Sequence, residues 1–558
     1  MTVVHSRKLS LIGLVIAMAA VLFIGAPAAD AAPPNEDVNW STCFRDVGAA
    51  FGVGYECSVV NLPLDYDRPN GATIGISVVR LPATDQANKI GSIFLNPGGP
   101  GGSGVEFALF YGPFAEFVWG PEVRARFDIV GFDPRGIGRS TALKCFGNLG
   151  QAVQVFSPFA WPETPDELAL WAAGETLLDD QCNQRGNKVL EHMSTANVAR
   201  DLDRLRAAVG DEQLTYVGLS YGTFLGVTYV NLFPDNVRSV IVDGVLDPVA
   251  WSNVEADIPF STRLRSDEGA AETLDRFFEL CDTAAPGNCA LAPNSADRYE
   301  AIYDQLKANP IVFEDPFSGE TFLIDHRELV GQSLGALYDP YSYYFLALMV
   351  AELEAFASPA DIGFAMDRLA EKNGLVAKRG FPRYPNFVEG FPAVACEDTN
   401  NPADYASWVA AGNQAEADFG YFGQLWTWAS GVCAPWSSVD GDAYHGPYDA
   451  DTSNPVLVIG NLYDPATRYE GAQTVRGLLP NSGLLTVDVP GHTSLGLSGC
   501  AGFISGQYLL DPSVASAVDG FTCPAEFNPF DLVAESDGGE GFQIGLRARL
   551  LPEIAYRP

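Results

Sequence analysis

The sequence predicts an α/β chain: a mostly parallel, doubly wound sheet that carries a large, mainly helical insertion. Three observations lead there. Short apolar runs recur as strands: Ile93 to Asn96, Phe127 to Phe132, Leu214 to Val217 and Ser239 to Val242. Between them lies at least one amphipathic helix, Thr195 to Gly210, with Val198, Leu202, Leu205 and Val209 on one face. The rhythm stops from about Pro248 to Ser453, a stretch rich in aromatic residues and helical segments (Ala271 to Leu280, Tyr299 to Ala308, Tyr341 to Phe356). It resumes with Pro455 to Gly460 and Gly483 to Val489. No internal repeat is visible. Ligands of such sheets bind at the carboxyl ends of the strands, so functional residues are sought in the loops that follow them.

In chain order, Met1 to Ala31 reads as an export signal. Arg7 and Lys8 precede an apolar run from Leu9 to Ile24, and Ala29-Asp30-Ala31 offers a small-x-small cleavage site. No cysteine follows closely and no twin arginine is present, so the general secretory route is expected, with a secreted or cell-envelope protein as the result. An uncleaved N-terminal anchor is the alternative for a run of this length. After signal removal no stable membrane insertion is expected.

The ten cysteines are even in number and all lie beyond this segment, which in an exported chain points to disulfides. Near-neighbour pairing gives Cys43–Cys57, Cys145–Cys182, Cys281–Cys289, Cys396–Cys433 and Cys500–Cys523, although spacing alone does not determine connectivity. A zinc site is the rival, but no C-x-x-C or His-rich cluster supports it, and no metal or cofactor is expected. A net charge of −37 argues against nucleic acid and anionic membrane surfaces as partners. The organisation expected is a signal over 1–31, core over 32–248, lid over 249–453, core again over 454–524 and a tail over 525–558.

Residues Cys43 to Asp67 form a lead-in that joins the sheet, and Ile74 to Arg80 alternates as a strand. The strand Ile93 to Asn96 runs into Pro97-Gly98-Gly99-Pro100-Gly101-Gly102-Ser103-Gly104. A flexible linker would not normally sit between a buried strand and the apolar Val105 to Phe110, so a loop whose bare N–H groups face a ligand is the better reading. Asp133-Pro134-Arg135-Gly136-Ile137-Gly138-Arg139-Ser140 reads as a structural ion-pair turn with no catalytic role.

The strand Leu214 to Val217 leads into Gly218-Leu219-Ser220-Tyr221-Gly222 and then a helix. G-x-S-x-G between strand and helix is the nucleophile elbow of α/β-hydrolases: the turn is too tight for flanking side chains, and it lifts the serine hydroxyl above the sheet edge. A serine nucleophile needs a base, and the base needs a carboxylate. In this fold the order is serine, acid, histidine, each on a loop after a strand. His492, after Gly483 to Val489, meets that rule; His192 precedes the elbow, and His326 and His445 lie in the insertion. Asp464, after Val456 to Gly460, is the acid, with Asp488 as a rival placed inside a strand. The oxyanion donors are the N–H of Tyr221 and one from the glycine loop, Gly99.

With these pieces assembled the sequence resembles the exported tripeptidyl aminopeptidases of actinobacteria, α/β-hydrolase peptidases related to the proline iminopeptidases. The resemblance rests on LNPGGPGGSG (Leu95 to Gly104), FDIVGFDPRGIGRS (Phe127 to Ser140) and YVGLSYGTFLG (Tyr216 to Gly226). NLYDPAT (Asn461 to Thr467), GHTSL (Gly491 to Leu495) and the Cys500 to Cys523 segment complete it. Pro97 stands where proline iminopeptidases begin the glycine loop with His, so the tripeptidyl branch fits better. The resemblance implies that Ser220, Asp464 and His492 match the triad positions and that peptide or protein N-termini are the substrate. It also implies an acidic counter-charge in the lid for the substrate ammonium group, for which Glu397 and Asp398 are the candidates, the alternative being a solvated acidic turn. An exported esterase or lipase would use the same triad. A hydrolase fold retained only for binding would usually lack one of the three residues.

Overall fold

The computed structural model describes residues 38–253, 258–314, 321–354 and 386–531. The export signal and the Gly/Asp/Glu-rich stretch Glu535 to Glu540 lie outside the described residues, as does Phe356 at the end of one expected helix.

The sheet is built on β4 (Gly91–Asn96), β5 (Phe127–Phe132) and β6 (Leu214–Leu219), in which every residue is buried. Continuous apolar runs of this kind fit parallel strands covered on both faces. Before them come β1 (Ser41–Cys43), β2 (Tyr55–Pro63) and β3 (Thr73–Leu81); after them come β7 (Val237–Asp243), β10 (Val456–Tyr463), β11 (Ser482–Pro490) and β12 (Phe521–Cys523). The ten strands lie in the order β1-β2-β3-β5-β4-β6-β7-β10-β11-β12. Pairing is antiparallel from β1 through β3 to β5 and parallel from β5 onward.

Alternation along the strands supplies two cores. Phe94, Tyr216, Val240 and Val458 pack on one face with Leu202 and Leu205 of helix Thr195–Ala208. Leu95, Val217, Ile241 and Ile459 pack on the other with Tyr508 and Leu509 of helix Gly499–Leu510. The insertion between β7 and β10 has its own core, in which Phe277, Tyr343, Trp408 and Trp428 are fully or almost fully buried. Its helices include Ser266–Thr283, Ser295–Ala308, His326–Leu337, Tyr343–Glu354, Phe387–Asp398, Tyr405–Phe419 and Phe422–Ala429. It also holds an antiparallel hairpin, β8 (Ile311–Glu314) with β9 (Thr321–Ile324). The architecture is thus the α/β-hydrolase fold with a large helical insertion.

The five disulfides follow the near-neighbour pairing. They point to an oxidising, non-cytoplasmic compartment. Among the described residues no helix is long and apolar enough to cross a membrane. One long helix that apolar periodicity passes over, Pro165–Arg185, begins at a capping box in which Thr164 and Glu167 satisfy each other's backbone N–H groups.

Several carboxyl groups pay a desolvation penalty in these cores. Burial pushes Glu106 and Glu328 up to about 7, Glu175 to about 8, and Asp243 and Asp267 to about 6. Unfolded carboxyls titrate near 4. Folding therefore favours their protonated forms, and the stability this gives is complete below about pH 4 and lost as pH rises through 6 to 8. The melting temperature is expected to fall between pH 5 and pH 8; calorimetry showing a rise over that window would contradict these burials.

Candidate active site

At the end of β6 the chain turns through Ser220 at φ 56°, ψ −129° before helix Tyr221–Leu232 begins. Such a conformation costs a non-glycine residue roughly 1–3 kcal/mol and needs its surroundings to hold it. Here Ser220 N donates to the Asp243 carbonyl at 3.0 Å, and Thr223 N donates to the Ser220 carbonyl at 2.8 Å. A Cβ on Gly218 would lie 2.2 Å from the Gly222 carbonyl oxygen, which is why no larger residue fits there.

His492 lies just past β11 and is buried. Its Nδ1 meets the Asp464 carboxylate at 2.9 and 3.0 Å. That carboxylate follows β10 and also accepts the N–H groups of Ala466, Thr467 and Thr493 at 2.9, 2.8 and 3.1 Å. The Thr467 hydroxyl donates to it at 3.0 Å and lies 3.3 Å from His492 Nδ1. A carboxylate accepting at Nδ1 sets the tautomer in which Nε2 is the basic nitrogen. Asp488 lies within β11, while His326 pairs with Glu163 at 2.8 Å and His445 Nδ1 with the Ser252 carbonyl at 3.0 Å.

Two further residues connect the histidine to the elbow. A Cβ on Gly244 would lie 3.4 Å from His492 Cε1, and the preceding residue, Asp243, holds the Ser220 N–H through its carbonyl. The Asp243 carboxylate accepts Ser494 N at 2.8 Å and Ser494 Oγ at 2.8 Å. Elbow and histidine loop are therefore fastened to one backbone step. Asp243 and Thr467 were not singled out in the sequence. For Asp243 the available signal was an acidic residue ending a core strand; for Thr467 it was a hydroxyl three residues after the acid.

The glycine loop lies over the elbow. A Cβ on Gly98 would be 2.9 Å from Ser220 Cβ and 3.0 Å from Tyr221 N. Gly98 N donates to Asn96 Oδ1 at 2.9 Å and Gly102 N to the Gly98 carbonyl at 3.1 Å. Among the described residues no protein acceptor takes the N–H of Gly99 or of Tyr221, the two candidate oxyanion donors. The loop is held from below by Asp133, which is fully buried and accepts Ser103 Oγ at 2.5 Å, Val105 N at 3.1 Å and Arg139 N at 2.7 Å. The ion pair of this turn joins Arg135 to Asp201, at 2.7 Å and wholly buried, so the turn is structural, with its salt bridge directed at helix Thr195–Ala208.

The insertion reaches both halves of the site. The Tyr338 ring stands edge-on to His492 at 4.9 Å between centroids, and His492 N donates to the Tyr338 carbonyl at 2.9 Å. A Cβ on Gly101 would lie 3.2 Å from Gly390 C and Phe391 N in helix Phe387–Asp398. At the end of that helix Glu397 accepts Ser438 Oγ at 2.8 Å and Met193 N at 3.2 Å. Asp398 accepts Thr195 N at 2.8 Å and Thr195 Oγ1 at 2.5 Å. All four oxygens therefore receive donors, two of them from Thr195 at the start of helix Thr195–Ala208. Burial raises Glu397 well above the carboxylate range and Asp398 to about 7.

A hydroxyl on a strained turn, a histidine oriented by a carboxylate and two N–H groups that no protein acceptor takes among the described residues are the components of acyl transfer. Asp464→Asn would present an amide to Nδ1 and favour the wrong tautomer. Turnover of p-nitrophenyl acetate is expected to drop about 10⁴-fold, and the melting temperature to fall as well, because the amide nitrogen cannot accept from the backbone N–H groups that now bond both oxygens. Unchanged turnover would remove Asp464 from the chemistry.

Comparison with known proteins divides along the same lines as the sequence. Residues 91–265 match the family described as alpha/beta hydrolase fold, and residues 418–523 match the one described as TAP-like protein. The first match spans the glycine loop and elbow, the second Asp464 and His492. A tripeptidyl aminopeptidase of Streptomyces lividans is 29% identical over 486 residues, covering 85% of this chain and 84% of its own. Serine protease Hip1 of Mycobacterium tuberculosis is 30% identical over 514 residues, covering 90% and 92%. Carboxylesterase B of the same organism is 31% identical over 478 residues, covering 84% and 86%.

Proposed function

We propose, for a chain that belongs to the TAP-like family of α/β-hydrolases, that it is an exported serine exopeptidase releasing short peptides, tripeptides in the first instance, from free N-termini. The observation that carries this reading is the His492–Asp464 couple set against the Ser220 elbow through Asp243 and Gly244.

In the proposed reaction Ser220 Oγ bonds to the scissile carbonyl carbon while His492 Nε2 takes its proton. The oxyanion draws on the N–H groups of Tyr221 and Gly99. Collapse breaks the C–N bond, and His492 returns the proton to the leaving amine. Water then attacks the acyl-enzyme by the same route and releases the short peptide as a carboxylate. The segment Met1 to Ala31 and the oxidised cysteines support release outside the cytoplasm or retention in the envelope.

The choice of peptide over ester rests on the relatives named tripeptidyl aminopeptidase and serine protease. A secreted carboxylesterase is the second reading, favoured by the relative of that name, and the same triad chemistry serves both substrates. A fluorogenic tripeptide amide, with and without an N-acetyl cap, separates the two. Cleavage of the free-amine form alone, abolished in Ser220→Ala, is expected. Turnover of p-nitrophenyl esters with neither peptide cleaved would give the chain to the esterases.

A further inference from the structure

The insertion holds the start of helix Thr195–Ala208 with three buried carboxylates. Met193 N donates to Glu397 at 3.2 Å, Ser194 N to Asp440 at 2.9 Å and Thr195 N to Asp398 at 2.8 Å. The last two are among the N–H groups that a helix leaves without partners at its N-terminus, and negative charge there meets the positive end of its dipole. The position of Thr195 is therefore set by the insertion as well as by the core.

The Thr195 side chain carries this hold onward. Its hydroxyl donates to the second Asp398 oxygen at 2.5 Å and is hydrogen-bonded to the Tyr221 hydroxyl. A threonine hydroxyl has one proton to give, so with that proton on Asp398 the Tyr221 hydroxyl is the donor in the other bond. Burial, and the Asp398 carboxylate beside it, hold the Tyr221 hydroxyl far above its ordinary titration range, so it keeps its proton. When Asp398 is itself protonated the direction reverses, Asp398 giving to Thr195 and Thr195 to Tyr221, and the chain stays joined.

Tyr221 directly follows the nucleophile, and its backbone N–H is a candidate oxyanion donor. Its side chain is buried, with the Phe224 and Trp251 rings at 6.4 and 5.9 Å between centroids. The glycine loop closes over its backbone, since a Cβ on Gly98 would lie 3.0 Å from Tyr221 N. Among the described residues, the hydrogen bond of the Tyr221 hydroxyl is the one to Thr195. Ring packing excludes water, whereas a hydrogen bond is directional and fixes one end of the side chain. An oxyanion donor works by being in place before the charge forms, and a displacement of about 1 Å can cost roughly 10²-fold in rate.

We propose that Thr195 and Asp398 are positioning residues for this reaction: through the Tyr221 hydroxyl they set the N–H that receives the oxyanion, and so couple the seating of the insertion to catalysis. The proposal rests on the acyl-transfer chemistry of the proposed function and holds for peptide and ester alike. It gives Asp398 a partner within the protein in place of a substrate ammonium group.

The test uses p-nitrophenyl acetate, which carries no amino group, with active enzyme counted by fluorophosphonate titration so that loss of folded protein does not enter. In Tyr221→Phe and Thr195→Val, kcat is expected to fall about 10- to 100-fold with KM kept within about threefold, because acylation and deacylation pass through the same oxyanion. A trifluoromethyl ketone mimics that state: Ser220 Oγ adds to its carbonyl carbon, the proton passes to His492 and the carbonyl oxygen becomes the oxyanion. Its affinity is expected to fall by the same factor as the rate. Thr195→Ser, which keeps the hydroxyl, is expected to restore both. The double variant is expected to lose no more than the worse single one, since both cut one chain. Asp398→Ala is expected to show the same kcat loss on the ester. Unchanged kcat and ketone affinity in Tyr221→Phe and Thr195→Val would overturn the proposal. So would an equal loss in Thr195→Ser, or an Asp398→Ala effect confined to KM for free-amine peptides. A wild type that neither turns over the ester nor takes the fluorophosphonate would overturn the acyl-transfer reading itself, and the proposal with it.

Discussion

The candidate site depends on one backbone step, Asp243–Gly244 at the end of β7. Its carbonyl holds the N–H of Ser220 and its carboxylate holds Ser494, two residues past the histidine; the bare Cα of Gly244 leaves room for Thr493, whose Cγ2 would lie 2.7 Å from a Cβ there. Nucleophile and base come from strands far apart in sequence, and the parallel register of β6, β7, β10 and β11 brings them onto this step. Burial of Asp243 keeps its hydrogen bonds from competing with water. A strained serine persists only where its neighbours over-determine it, and here they do.

The insertion is part of the same arrangement. It covers the histidine with Tyr338, which packs against the insertion's own aromatic core, and meets the glycine loop at Gly390, in a helix whose Val388, Ala393, Val394 and Ala395 pack with the sheet core. The Cys396–Cys433 bridge ties the helix that carries Gly390 to the turn after helix Phe422–Ala429. Glu397 and Asp398 secure the end of that helix to the start of helix Thr195–Ala208. Lid and core therefore share hydrogen bonds beside the elbow, and access to Ser220 is shaped by elements on both sides.

Much of this was legible in the sequence because the relevant signals are local. Parallel strands buried on both faces read as continuous apolar runs, and β5 spans the stretch Phe127 to Phe132 predicted for it. The elbow, the acid and the histidine follow from strand-then-loop order. The disulfides paired with neighbours because each closes a short local excursion. What escaped notice depends on long-range geometry. Asp243 is one more acidic residue until Ser494, 251 positions later, is placed on it. Arg135 was read with its own turn, yet its partner is Asp201, 66 residues on. Helix Pro165–Arg185 escapes apolar periodicity because its apolar positions serve several faces.

The central claim is that Ser220 is a nucleophile activated by His492. Labelling with a fluorophosphonate, followed by mass spectrometry of the digested protein, tests it most directly. The label is expected on the peptide containing Ser220, with the rate of labelling reduced at least about 10³-fold in His492→Ala, the scale of losing a triad base. A label on any other residue, or an undiminished rate without His492, would contradict it.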